Sequence, residues 1–366
     1  MSTIGISLYL DYYSLDQCKI MIDKASKLGY KEIFTSFNFE EYFFPGKRNT
    51  SVEDKKSLFL YAEEKGMRFH VDITKKLLYK MGGNVNDLSC FKELGIPVIR
   101  LDGGFTFEEI AILTTNNLGI MIEDNLSNYY LIEKSLPIIK EKGNLKQYCG
   151  CLNFYPRNNT GLKIKEAVEI ANKMKEYGCA TGAFISSLVS PTEMNNTSVG
   201  TPSIEAHRYL PSFIQVSELL CTKAFDYILF GDSNPSDYEL KSVAHAYNCF
   251  NQGYTELPCY FEKIDSQIID KIKSTKGLSR IDRSSQVIRL TSTRGIEIAP
   301  ENTILRNKYC ITIDNTLANQ YKGEIQICLT DLPAERFVNV IGQVKPYAYR
   351  LLKYIHEDVI YFKLVE

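Results

Sequence analysis

Only four histidines occur among the 366 residues, and none stands in a His-Glu-x-x-His or other zinc spacing, so no metal is expected. Net charge is scarce as well. The formal value of −1 supplies no broad field to draw the chain to nucleic acid or to an anionic membrane. No apolar stretch approaches the length of a membrane span. A Gly-rich phosphate loop is also missing. Leu10 runs into Asp11-Tyr12-Tyr13-Ser14 without glycine, and neither Gly82-Gly83 nor Gly103-Gly104 builds Gly-x-Gly-x-x-Gly. Nucleotide binding is disfavoured, and no cofactor is expected.

The ten cysteines are scattered through the chain without a compact framework, as reduced cytosolic thiols would be. The closest pair, Cys149-Gly150-Cys151, suits neither a redox Cys-x-x-Cys nor a zinc knuckle. Met1 to Asp11 lacks a basic segment and a small-residue cleavage site. It reads as a first strand, and the expected location is cytoplasmic. With 44% hydrophobic and 24% charged residues the composition is that of a globular protein, and the length favours two domains.

What is present is a serial alternation of short apolar runs and amphipathic segments, the pattern of parallel βα units. Strands are expected at Ile4 to Leu10, Ile33 to Thr35, Arg68 to Val71, Val98 to Leu101, Ile120 to Ile122, Cys149 to Asn153, Ala180 to Ile185 and Tyr227 to Phe230. Eight units in series predict an α/β fold, a closed (β/α)₈ TIM barrel over 1–250, rather than an open sheet. Beyond a connecting region at Gly253 to Pro258 the texture becomes β-type. Val287 to Leu290, Tyr309 to Ile313, Gly323 to Leu329, Phe337 to Ile341 and Val359 to Leu364 predict a mainly antiparallel β domain over 251–366.

Active sites of such barrels lie at the C-terminal ends of the strands. Asp11, Asp72, Asp102, Glu123 with Asn125, and Asp232 follow strands one, three, four, five and eight. Strand six ends in Asn153-Phe154-Tyr155-Pro156-Arg157, and the loop after strand seven carries Glu205, His207 and Arg208. A mouth ringed by carboxylates, with few histidines, points to acid/base work on oxygen. Glycoside hydrolysis needs one carboxyl to protonate the leaving oxygen and another as nucleophile or base. Asp11, Asp102, Glu123, Glu205 and Asp232 are the catalytic candidates. Arg100 shares a face with Asp102 and could hold it ionised, or form a structural pair with it. Asp72 is at least as well read as a cap. Arg157, His207 and Arg208 suit an anion, and Asn153, Tyr155 and Asn125 could line the site. The aromatic run Phe37 to Phe44 reads as sugar platform or as packing.

Along its whole length the chain resembles the 6-phospho-N-acetylmuramidase family of bacterial glycoside hydrolases. The resemblance rests on Ile33-Phe34-Thr35-Ser36, Arg100-Leu101-Asp102-Gly103-Gly104-Phe105, Asn153 to Leu162, Gly200 to Arg208 and Gly231-Asp232, and on Ile311 to Asn315 and Gly323 to Ile327 farther on. Leu152 and the stretch Asn195 to Val199 depart from the family pattern. The resemblance implies a TIM barrel joined to a cyclophilin-like β-barrel domain. It also implies intracellular hydrolysis of N-acetylmuramic acid 6-phosphate linked to N-acetylglucosamine. The implied partner is that phosphorylated amino-sugar disaccharide, with neither nucleic acid nor membrane, and a homo-oligomer is compatible with it. Two alternatives stand beside this reading. One is another phospho-sugar barrel enzyme, an isomerase or aldolase, which would need a strand-end lysine or a metal cluster. The other is a non-catalytic sugar-binding or surface protein.

Overall fold

A computed structural model of the chain describes residues 2–10, 12–37, 50–127, 129–189, 200–262, 264–358 and 360–366. Two compact units emerge, Met1–Ala244 and His245–Glu366.

In the first unit eight parallel strands close a barrel in sequence order: β1 (Thr3–Ser7), β2 (Glu32–Ser36), β3 (Arg68–Thr74), β4 (Val98–Gly103), β5 (Met121–Asn125), β6 (Tyr148–Cys151), β7 (Ala180–Ile185) and β8 (Tyr227–Ser233). Closure is direct, because β1 pairs with both β2 and β8. The intervening helices follow local rules. In Ile164–Glu176 the buried residues are Ala167, Ile170, Ala171 and Met174, one apolar stripe at helical spacing. Ser14 and Gln17 close a capping box on Leu15–Lys27, and Thr106 and Glu109 do the same on Phe107–Thr114.

Several strands differ in length from expectation. β1 ends three residues sooner, at Ser7, whereas β3, β4, β5 and β8 each run two or three residues farther. Asp72 and Glu123 therefore lie inside ladders rather than beyond them, whereas Asp102 and Asp232 fall at register breaks within β4 and β8. Carboxylates ended the apolar runs early in the sequence, but the strands continue through them.

The second unit is a six-stranded mixed sheet that curls into a half-barrel. Its strands are β9 (Thr255–Phe261), β10 (Val287–Leu290), β11 (Cys310–Asp314), β12 (Ile325–Cys328), β13 (Val338–Val344) and β14 (Phe362–Val365), in the order β10-β12-β11-β13-β9-β14. Only the β9–β14 pair is parallel among its described ladders. The segment expected as a connector at Gly253 to Pro258 mostly belongs to β9. Pro258, which has no N–H to give a ladder, disguised that strand in the sequence.

Candidate active site at the barrel mouth

Register builds the centre of the site. Ser36 on β2 pairs with Asp72 on β3, Asp72 with Arg100 on β4, and Arg100 with Glu123 on β5. Partners across adjacent strands point to the same side of a sheet, so four polar side chains fall in one row. The Ser36 hydroxyl donates to Asp72 Oδ2 at 2.8 Å. Arg100, 1% exposed, places Nε 3.4 Å from Asp72 Oδ1 and Nη1 3.4 Å from Glu123 Oε1. It also donates from Nη1 to the Cys151 carbonyl at 3.1 Å and from Nη2 to Asn153 Oδ1 at 2.9 Å. Burial opposes the guanidinium's charge, but Cys151, Glu123, Asp72 and Asp102 around it raise its pKa overall.

A second buried ion chain adjoins this row. His70 Nδ1 lies 2.6 Å from Glu123 Oε2, and His70 Nε2 lies 3.1 Å from Glu32 Oε2, which accepts from Arg68 Nε at 2.6 Å. The Tyr227 hydroxyl donates to Glu123 Oε2 at 2.6 Å. Burial works against charge here too. Glu123 and Glu32 nevertheless push His70 up to about 9, while His70 and Arg68 bring Glu32 down to about 2. Tyr9 completes the interior, donating to the Gly231 carbonyl at 2.6 Å. Burial raises its phenol, and the charges of Asp232 and Asp72 raise it further.

The loops above β6, β7 and β8 are tied by two carboxylates. Asp232, fully buried, accepts from the N–H groups of Ser187 (2.8 Å) and Thr201 (3.0 Å) and from the Thr201 hydroxyl (3.0 Å). Gly200 is required beside it, because a Cβ there would stand 2.4 Å from Ser186 Cβ and 2.8 Å from Asp232 Oδ2. Glu205 accepts from the N–H groups of Asn159 (2.9 Å) and Gly161 (2.8 Å) and is forked by Arg208. The Arg208 guanidinium also donates to the carbonyls of Tyr155, Gly200 and Arg157, at 2.9, 2.8 and 3.3 Å. All five of its N–H donors are thereby engaged within the chain. That pairing, with the two backbone donors, holds Glu205 down at about 2.

Family models for the 6-phospho-N-acetylmuramidase N-terminal and C-terminal regions match residues 4–245 and 256–365. The chain belongs to the 6-phospho-N-acetylmuramidase family. Like the family, it is a glycosidase. A solved structure of an uncharacterized B. cereus protein is similar over 100% of both chains, at 27% identity and a TM-score of 0.86. A conserved Enterococcus faecalis protein of unknown function matches 100% of this chain and 96% of its own, at 24% identity and a TM-score of 0.75, a likeness of fold. No protein of curated description is significantly similar in sequence.

On this 6-phospho-N-acetylmuramidase barrel the expected residues fall into distinct settings. Asp102 is exposed and, with Asn125, borders a rim cavity of about 270 Å³. Asn125 is half-buried and accepts from the Ser127 hydroxyl at 2.6 Å. Glu123, Glu205, Asp232, Arg100 and Arg208 sit in the networks above. His207 is fully buried, with Nε2 2.8 Å from Glu218 Oε2. Asn153 and Tyr155 are half-buried, and the exposed guanidinium of Arg157 makes no hydrogen bond or ion pair among the described residues. Asp11, the aromatic run from Asn38 to Phe44 and the stretch Asn195 to Val199 lie outside the described residues.

Sequence reasoning set Asp72 among the strand-end acids but left it between cap and catalyst, and did not name Ser36, Glu32 or His70 as site components. The helix Lys75–Lys80 is capped by Thr74, not by Asp72. The alternation that pairs Arg100 with Asp102 also sets Asp72 two residues after His70 on the same face, and that signal was available. Among the described residues one trio could hold a metal ion. His245, Cys249 and Glu256, in the second unit, have donor atoms within 4.8 Å of one another, with His245 Nε2 3.0 Å from Glu256 Oε2.

Proposed function

We propose that the chain hydrolyses the glycosidic bond between 6-phosphorylated N-acetylmuramic acid and N-acetylglucosamine, at the mouth of its barrel. The observation that carries this reading is the shared position of Asp72. Arg100 lies 3.4 Å from both Asp72 and Glu123, and the charges of Asp72 and Asp232 both act on Tyr9. Acids from β3, β5 and β8 thus line the interior, with exposed Asp102 of β4 two residues beyond Arg100, a supply of carboxyls for cleavage by an acid pair.

Division of labour follows from the partners of each acid. Asp72 and exposed Asp102 are the pair for the scissile bond, one protonating the leaving oxygen and the other serving the anomeric carbon as nucleophile or as base for water. Glu123 and Arg100 hold Asp72 in place. Asp232 positions the β7 and β8 loops. Glu205, His207 and Arg208 order the loop that presents Arg157, and Arg157 takes the phosphate with its planar fork. Asn153, whose carbonyl oxygen is occupied by Arg100, offers its amide N–H to the sugar. Asp11 remains a candidate on its position in the chain alone.

The test is hydrolysis of the phosphorylated disaccharide and its dephosphorylated twin by purified protein. Release of N-acetylglucosamine from the phosphorylated form alone supports the reading. Equal cleavage of both, or of neither, overturns it.

A further inference from the structure

The two faces of the second unit's sheet are chemically unlike. On β11, Ile311 and Ile313 alternate with Thr312 and Asp314. The register carries the polar face across the sheet, setting Arg289 on β10 opposite Gln326 on β12, and Gln326 opposite Thr312. Arg289 and Gln326 are half-buried and Thr312 is buried. This row borders a cavity of about 650 Å³ lined in part by Arg289, Arg306, Asp314, Gln326, Tyr321 and Phe337. That volume falls within the range of small-molecule sites.

Asp314 is the unusual member. It is only 6% exposed, and its carboxyl makes no hydrogen bond among the described residues. Its oxygens open onto the cavity rather than onto a protein donor, so a ligand hydroxyl can reach them. Burial, followed by the charges of Glu324 and Glu335, pushes it up to about 7, so near neutrality it both donates and accepts. The arginines, by contrast, each lie against a carboxylate. Glu324 accepts from Arg289 Nε at 2.6 Å and Arg294 Nε at 2.7 Å, and Arg306 Nη2 lies 3.2 Å from Glu335. Each arginine is thus held by a carboxylate, which weakens its pull on a free phosphate. It offers a carboxyl, an amide and two rings, Tyr321 being 43% exposed. Flat hydrogen-bonding groups suit vicinal hydroxyls, and ring faces suit the C–H side of a pyranose.

We propose that this cavity binds an uncharged saccharide ring, its hydroxyls on Asp314 and Gln326 and its apolar face against Tyr321 and Phe337. N-acetylglucosamine is the natural probe; that choice rests on the barrel reaction proposed above, whereas the site does not. Binding to the full-length chain is measured by calorimetry and saturation-transfer NMR, for wild type and for Asp314→Leu, Gln326→Ala and Asp72→Asn. The expected result is binding that survives Asp72→Asn and weakens about tenfold or more in each second-unit variant. Those two variants still hydrolyse the phosphorylated disaccharide at the wild-type rate. Should Asp314→Leu fail to fold, half-buried Gln326→Ala carries the test alone. Unchanged affinity in natively folded variants, absence of binding in wild type, or displacement of the sugar by inorganic phosphate overturns the proposal. Asp314-dependent binding without any hydrolysis would defeat the barrel reading and leave this one standing.

Discussion

Asp232 and Thr201 are joined twice, the Thr201 N–H to Oδ2 and its hydroxyl to Oδ1, each at 3.0 Å. Because Oδ2 also receives the Ser187 N–H, one carboxylate pins the backbone on both sides of residues 190–199. An amide in its place turns a donor toward one of these donors. Asp232→Asn is expected to lower stability by about 2 kcal/mol in denaturant titrations and to reduce turnover. Thr201→Val should do part of both. Full loss of turnover with unchanged stability in Asp232→Asn, and none in Thr201→Val, would move Asp232 into the chemistry itself.

Asp72→Asn keeps the Ser36 contact but removes the charge beside Arg100. The expected fall in kcat is about 10²–10⁴-fold with a native circular-dichroism spectrum, and Asp102→Asn should behave alike. Wild-type rates in both variants would end the acid-pair assignment.

Arg157→Ala tests the anion anchor. KM for the phosphorylated disaccharide should rise about tenfold or more, with the melting temperature unchanged because the guanidinium has no partner to lose among the described residues. Activity on a dephosphorylated substrate, however weak, should not move.

His70 makes stability depend on alkali. Below pH 6.5 the imidazole carries its proton in folded and unfolded chains alike, and the ion chain contributes in full. As pH rises the unfolded chain releases that proton first, so stability declines until the folded group deprotonates near pH 9. The loss amounts to about 3 kcal/mol at most. Unfolding curves from pH 6 to 10 should show this slope in wild type and a shallower one in His70→Asn.

Asp314 has the opposite effect. Below its unfolded value of 3.8 it is protonated in both states and costs nothing; between there and about 7 the unfolded chain ionises while the folded one does not. Stability therefore falls as pH rises through that window and levels off above it. Asp314→Asn, measured without ligand, should match wild type near pH 4 and exceed it at pH 8, by about 4 kcal/mol at most.

Much of the barrel is readable without coordinates because each βα unit reports itself locally. The stripe Ala167, Ile170, Ala171, Met174 announces a helix, and Ala180 to Ile185 announces a strand. Strand-end logic likewise singled out Arg100, Asp102, Glu123 and Asp232 as candidates. What stayed hidden depends on partners far away in sequence. His70 in an apolar stretch looks like any core histidine until Glu32 and Glu123, 38 and 53 residues distant, are brought against it. Arg208 looks like a surface cation until the folding of two loops surrounds it with carbonyls. Pro258 hid β9 for a local reason, the missing donor.

The chain Arg68–Glu32–His70–Glu123–Arg100 has a consequence for how this barrel can diverge. Hydrocarbon positions in a core drift one at a time, since a neighbour of similar volume accepts the change. A link in a chain of enclosed ions has no such freedom, because its loss strands an opposite charge with nothing to neutralise it. Descendants of this protein must either keep Glu32, His70, Glu123 and Arg100 together or replace them as a set, through intermediates that fold poorly, whereas Arg68, exposed at the end of the chain, is freer to change.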